Sequence, residues 1–111
     1  MSDFSKLREA NWARQQQWDP NNKLDIAYRG NELAGEVGEA CNLIKKIERE
    51  RRGLRGTRAT PESLAEELAD VIICVDLIAM SEGINLWGAV CSKFNKTSKA
   101  NRFQIYLEEE G

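Results

Sequence analysis

Apolar residues recur along most of this chain at three- and four-residue intervals, the spacing of one face of an α-helix. Phe4, Leu7 and Ala10 begin the pattern behind Ser2 or Asp3 as N-cap, and the turn-rich run Asp19-Pro20-Asn21-Asn22 ends it. This predicts a first helix over about residues 3–18. A second stripe, Ile26, Leu33, Val37, Ala40, Cys41, Ile44 and Ile47, predicts a helix from about residue 24–26 to about residue 52. Gly30, Gly35 and Gly38 interrupt it at a cost of up to about 1 kcal/mol each relative to Ala, and Gly35 and Gly38, beside Glu36 and Glu39, suggest that another backbone or a ligand comes close there. Thr60-Pro61-Glu62 reads as a helix start, with Thr as N-cap, Pro in the first helical position and an acid in the first turn. That third helix is expected to run to about residue 81, where Gly83 stops it. Leu64, Leu68, Val71, Ile72, Val75, Leu77, Ile78 and Ala79 cover much of its circumference, so it should be the central and most buried helix. Asn85 is the expected cap of a fourth helix over about residues 86–98, with Leu86, Val90 and Phe94 on its apolar face. The acidic tail from Leu107 to the end is expected to be exposed and frayed.

Composition narrows the picture. With 111 residues, two prolines and no internal repeat, the chain reads as one all-α domain. Charged residues make up 31% but nearly cancel, leaving a net charge of −2, which argues against binding nucleic acid or membranes by bulk charge. No apolar stretch reaches the roughly 18 residues of a membrane span, and Met1-Ser-Asp-Phe-Ser lacks the features of a signal peptide, so a cytoplasmic protein is expected. Cys41, Cys74 and Cys91 are odd in number and far apart, unlike a disulfide framework; Cys41 and Cys74 are expected to be small buried hydrophobes. Histidine is absent altogether. That removes imidazole acid–base catalysis, Ser-His triads, zinc sites that need imidazole and the Glu-x-x-His signature of di-iron bundles. Metal chemistry would then rest on carboxylates and water, which suits Mg²⁺ or Mn²⁺.

The carboxylates are the chemistry that remains. Most sit in polar surroundings, but Glu36, Glu39, Glu67 and Asp70 alternate with the core-building Val37, Ala40, Leu68 and Val71. Each pair is spaced i, i+3, which puts its two side chains on one helical face with Cβ atoms about 5–6 Å apart. Glu32, one turn before Glu36, extends that face. Two such faces opposed would converge four acids on one spot, and converging acids repel unless a cation lies between them. The bland alternative is that all four are solvent-side residues paired with Lys or Arg. Asp76 lies about 120° around the helix from Asp70, so a partner on another helix is expected for it. Lys93, Lys96 and Lys99 form a cationic row on the fourth helix, with Asn95 among them. Metal-bound acids, a basic row and tryptophans free to stack on a base would together suit a nucleotide polyphosphate. The basic, glycine-containing loop at 49–58 is either a lid over an anionic substrate or an ordinary cationic helix end.

The sequence Glu32-Leu-Ala-Gly-Glu-Val-Gly-Glu-Ala40, the run Glu66-Glu67-Leu-Ala-Asp70-Val-Ile, and Lys93-Phe-Asn-Lys-Thr-Ser98 resemble, in that order, the MazG-like all-α nucleoside triphosphate pyrophosphohydrolases. The similarity spans about residues 18–102, and relatives often carry an acid where this chain has Gly35. The resemblance implies Mg²⁺-dependent hydrolysis of a (deoxy)nucleoside triphosphate to monophosphate and pyrophosphate, a nucleotide-pool house-cleaning reaction. It implies that Glu36, Glu39, Glu67 and Asp70 hold the metal, and that one of them or Glu66 orients or deprotonates the attacking water. Lys93, Asn95 and Lys96 would contact phosphates, and Trp18 would stack on the base. It further implies a homodimer or homotetramer in which two protomers complete a four-helix bundle. The competing expectation is a non-catalytic helical interaction or nucleotide-binding module whose acids only solubilise it.

Overall fold

In the computed structural model, which describes residues 2–109, four helices follow one another. They are α1 (Asp3–Trp18), α2 (Ile26–Arg51), α3 (Pro61–Ser81) and α4 (Leu86–Ala100), with no strand among the described residues. Their starts are the short polar side chains that the sequence supplies. Ser2, Asp25, Thr60 and Asn85 each accept a hydrogen bond from the backbone N–H three residues on, satisfying a donor that the first turn leaves free. At Thr60 the cap is reciprocal, because the Ser63 hydroxyl also accepts from the Thr60 N–H at 3.1 Å. Between α1 and α2, Asp19 accepts from the N–H groups of Lys23 and Leu24, both at 2.9 Å. These two bonds hold its carboxyl below the usual carboxylate range.

Three helices end alike. Leu54 donates to Arg49 O, Ile84 to Ala79 O and Phe103 to Ser98 O, each at 2.8 Å. The residue before each donor is left-handed: Gly53 at φ 68°, Gly83 at φ 67° and Arg102 at φ 61°. Glycine takes that conformation freely, whereas Arg102 adopts it at a cost of roughly 1–2 kcal/mol.

α3 is the centre. It packs along α2 on one side and against α1 on the other, and it holds the buried Cys74, Asp76, Leu77 and Ala79. The α2–α3 seam runs through Arg29, Leu33, Glu36, Ala40, Leu43 and Ile47 on α2, and through Leu64, Glu67, Val71, Cys74 and Ile78 on α3. Every one of these is buried or half-buried. Their alternating three- and four-residue steps are those of a coiled-coil seam. More than half of the expected α2 stripe therefore lies elsewhere: Ile26, Val37, Cys41 and Ile44 are exposed. The expectation that Cys41 is buried is corrected, since its position one step round from Ala40 carries it off the seam. Cys74 is buried as expected. Gly30, Gly35 and Gly38 face open space, with nothing within 4 Å of a Cβ built on any of them. The close approach expected at Gly35 and Gly38 does not occur within one copy.

Asp76 finds its partner on another helix, as its angular position predicts. Arg8 of α1 donates from Nε at 3.1 Å and pairs through Nη2 at 3.0 Å, both to Oδ1, while Asn11 Nδ2 donates to Oδ2 at 2.9 Å. Arg8 also donates to Ile84 O at 2.9 Å, which ties α1 to the turn after α3.

α4 makes only slight contact with the other three helices. It is anchored through Trp87, whose ring stacks on Phe4 with centroids 5.2 Å apart. The tail does not fray over its described part. Asn95 accepts from Leu107 N at 2.7 Å and donates to Leu107 O at 2.8 Å, and Asn85 donates to Glu109 at 2.9 Å. These bonds strap the segment back along α4. The remainder of the expected frayed tail, Glu110 and Gly111, lies outside the described residues.

The result is an open molecule. Its radius of gyration is 17.3 Å, against about 13 Å for a compact chain of this length. Its accessible surface is 8359 Å², about 2,100 Å² more than the size scaling for a monomer of this mass allows.

Candidate metal centre

The acids of the two i, i+3 pairs do not all sit equally on the seam. Glu36 and Glu67 occupy seam positions where a coiled coil would place apolar residues. Asp70, one turn on from Glu67, flanks them from the exposed side. One carboxylate oxygen from each of Glu36, Glu67 and Asp70 lies within 4.8 Å of the others. Glu39, one turn on from Glu36 along α2, acts on Glu67 from beside the trio. Three of the four acids thus converge on one point, with the fourth beside them.

The electrostatics follow from that crowding. The hydrogen bond with Glu39, then burial and the negative charges of Glu39 and Glu36, push the Glu67 carboxyl up to about 7. Glu36 is also raised, first by desolvation and then by the charges of Glu39 and Asp70. Nearby Cys74 donates weakly to Glu32 Oε1 at 3.6 Å, and burial followed by the charge of Glu32 pushes its thiol up to about 11. It is no nucleophile at neutral pH.

A salt-bridged role for these acids requires cations beside them, although Glu39 and Asp70 are exposed to water. Among the described residues the ion pairs are Lys6–Asp3 and Arg8–Asp76. Neither involves the cluster. One oxygen of Glu36 and one of Glu67 are instead buried without any hydrogen-bond donor, a state that buried carboxylates avoid unless paired or metal-bound. An all-oxygen, carboxylate-rich set of this kind fits a hard divalent cation, Mg²⁺ or Mn²⁺.

The other expected site residues are distributed differently. Glu66 is exposed and does not belong to the converging set. Lys93 and Lys96 are exposed on α4, a helix that does not pack face to face with α2 or α3 within one copy. Both ends of the Asn95 amide are taken by the backbone of Leu107, so it braces the tail in this structure. Trp18 is 70% exposed at the end of α1, with the Arg14 guanidinium 4.8 Å from its ring centroid. It lines a pocket of about 440 Å³ together with Gln15, Leu24, Tyr28, Arg29, Glu32 and Leu77.

Sequence reasoning missed Arg29 and Gln15 in that pocket. Arg29 is 4% exposed, its Nη2 donates to Gln15 Oε1 at a long 3.4 Å, and its Nε has no acceptor. A signal was present: Arg29, Leu33, Glu36 and Ala40 are spaced 4, 3, 4, which puts this cation on the same seam as the acid. A comparison with family models, curated proteins and solved structures finds no match to this chain.

Proposed function

We propose that the protein is a Mg²⁺-dependent nucleoside triphosphate pyrophosphohydrolase, releasing monophosphate and pyrophosphate. The observation that carries this reading is the convergence of Glu36, Glu67 and Asp70 on one point, with buried oxygens that no protein donor satisfies. The resemblance of the two acidic motifs and the Lys93–Ser98 stretch to MazG-like enzymes supports the same reaction. A divalent cation bound there would supply charge for the phosphate oxygens and lower the pKa of a bound water. Glu36, Glu67 and Asp70 hold the cation. Glu39, beside Glu67 and outside the converging trio, orients the attacking water and receives its proton. Trp18, exposed at the mouth of the adjoining pocket, offers a face for the base.

The same proposal includes a second copy of the chain. Val37, Cys41 and Ile44 on α2 and Leu68 and Ile72 on α3 are exposed on the faces that a symmetric partner would cover. The surplus of about 2,100 Å² per chain is of the size that obligate homodimers bury. Pairing the α2–α3 hairpins of two copies completes a four-helix bundle. It also gives Lys93 and Lys96 a route to the phosphates at a partner's cluster that one copy does not offer.

The test is pyrophosphate release over a panel of nucleoside triphosphates, with Mg²⁺ and with chelator, alongside light scattering. Mg²⁺-dependent release by a dimer or tetramer is expected. Release that continues unchanged in Glu39→Gln and Asp70→Asn would overturn the assignment of the site, and a monomer would overturn the shared bundle. A helical module with solubilising acids would instead release nothing and bind no Mg²⁺.

A further inference from the structure

The pocket beside the acids contains a buried cation, Arg29, whose hydrogen bonds are incomplete among the described residues. Arg29 is 96% buried by its 4% exposure, pairs with no carboxylate among the described residues, and leaves Nε without an acceptor. A buried guanidinium in that state costs several kcal/mol unless something completes its hydrogen bonds. The neighbouring groups define what that something is. Gln15 lines the pocket and its Oε1 is engaged by Arg29, so its amide nitrogen is the donor it has left to offer. Glu32 supplies an acceptor, with its other oxygen steadied by the Cys74 thiol. Trp18 and Tyr28 provide flat walls, and the volume of about 440 Å³ lies within the roughly 300–1,000 Å³ of small-molecule sites.

The position matters equally. Glu32 lines this pocket and lies one turn before Glu36 on α2. Leu77 lines it from α3, two turns on from Asp70 and one from Cys74, and the charges of Glu32, Glu36 and Asp70 all reach Cys74. The pocket is therefore the next compartment along the seam from the carboxylate cluster. A nucleotide with its phosphates at the cluster places its base end here.

We infer that Arg29, Gln15 and Glu32 form a specificity pocket for a nucleobase that presents a carbonyl acceptor and an exocyclic amino donor on one edge, which cytosine and guanine do. Arg29 and Gln15 donate to the carbonyl side, and Glu32 accepts from the amino group. Adenine lacks the carbonyl. Uracil and thymine lack the amino group and leave Glu32 buried against an acceptor. The inference rests on the proposal that the neighbouring cluster handles nucleotide phosphates, and its test separates the two.

The test is calorimetry of the full chain with Mg²⁺ against dCMP, dGMP, dAMP and dTMP, which needs no turnover. The expected result is that dCMP or dGMP binds roughly 5- to 150-fold more tightly than dAMP and dTMP, the range of one good base contact. Which of the two wins reports how large a ring the pocket admits. Arg29→Gln should reduce the advantage to about twofold or less. Should that variant fail to fold, Glu32→Gln is expected to erase discrimination against dTMP. Equal binding of all four, no binding of any, preference for dAMP or dTMP, or an undiminished preference in a folded Arg29→Gln protein would overturn the inference. Triphosphate hydrolysis without base selectivity overturns this pocket alone. Base-selective binding without hydrolysis overturns the enzymatic reading alone.

Discussion

Two sets of acids are taken partly or wholly out of water in this protein, and they are treated in opposite ways. Asp76 is fully buried, yet every part of its carboxylate is answered: Arg8 on one oxygen, Asn11 on the other, and Arg8 itself braced by Ile84 O. Glu36 and Glu67 are less buried but have no cation and no donor on one oxygen each, and they face one another across the seam. The first arrangement is complete within one copy and fastens α1 to α3. The second is incomplete, and folding alone gives no reason to keep two mutually repelling acids where leucines would pack better. Of the two groups, only the second leaves carboxylate oxygens without a protein partner.

This contrast can be broken from either side. The largest effect on stability is expected at the complete pair. Arg8→Ala leaves Asp76 buried with Asn11 as its remaining partner, and should lower unfolding free energy by about 3–5 kcal/mol, read as a lower denaturant midpoint. A loss under 1 kcal/mol would mean that the pair does not fasten the fold. At the cluster the expected cost falls on activity. Asp70→Asn or Glu39→Gln should reduce kcat/KM for triphosphate hydrolysis by about 100-fold or more, about 2.7 kcal/mol of transition-state stabilisation, with the circular dichroism spectrum unchanged.

The pH dependence sharpens the same contrast. An acid whose pKa is raised on folding keeps a proton that the unfolded chain has already lost. The native state is therefore disfavoured as pH rises between the unfolded and folded values. For Glu67 that window runs from 4.5 to about 7. The chelated protein should lose thermal stability from pH 5 to 8, and the gain on adding Mg²⁺ should grow over the same interval. A thermal midpoint that ignores both chelator and pH in that window would contradict the account. The smallest effect is expected for Glu67→Gln with chelator present: relief of the crowding should raise the midpoint slightly, the opposite sign to Arg8→Ala.

Much of this was legible in the chain because it is local. The caps Ser2, Thr60 and Asn85, the stops at Gly83 and the Asp19–Asn22 turn, and Pro61 in a first turn all act within a few residues, and the helices begin and end close to where those signals put them. The angle between Asp70 and Asp76 also pointed to a partner on another helix for Asp76, which Arg8 and Asn11 supply. What local pattern could not decide is which of two adjacent apolar stripes on α2 faces α3. Cys41 and Ile44 read as well as Leu33 and Leu43 do until α3 is in place, and the choice follows from packing across residues distant in sequence. The acids themselves were legible, but the isolation of Glu66 from the trio was not. Nor was the capture of Asn95 by Leu107, since a helix residue bound to an extended tail leaves no periodic trace. Arg29 carried a signal in its spacing from Leu33, Glu36 and Ala40, but a cation there reads as a solvated helix residue until packing buries it.

The central claim is that Glu36, Glu67 and Asp70 bind a divalent cation. Titration of Mn²⁺ into the nucleotide-free protein, followed by the loss of the free-ion electron paramagnetic resonance signal, tests this most directly. Saturable binding that is lost or strongly weakened in Asp70→Asn and Glu67→Gln, but retained in Glu66→Gln, is the predicted result. A wild-type protein that leaves the Mn²⁺ signal undiminished, or one that binds it equally well in all three variants, would contradict it.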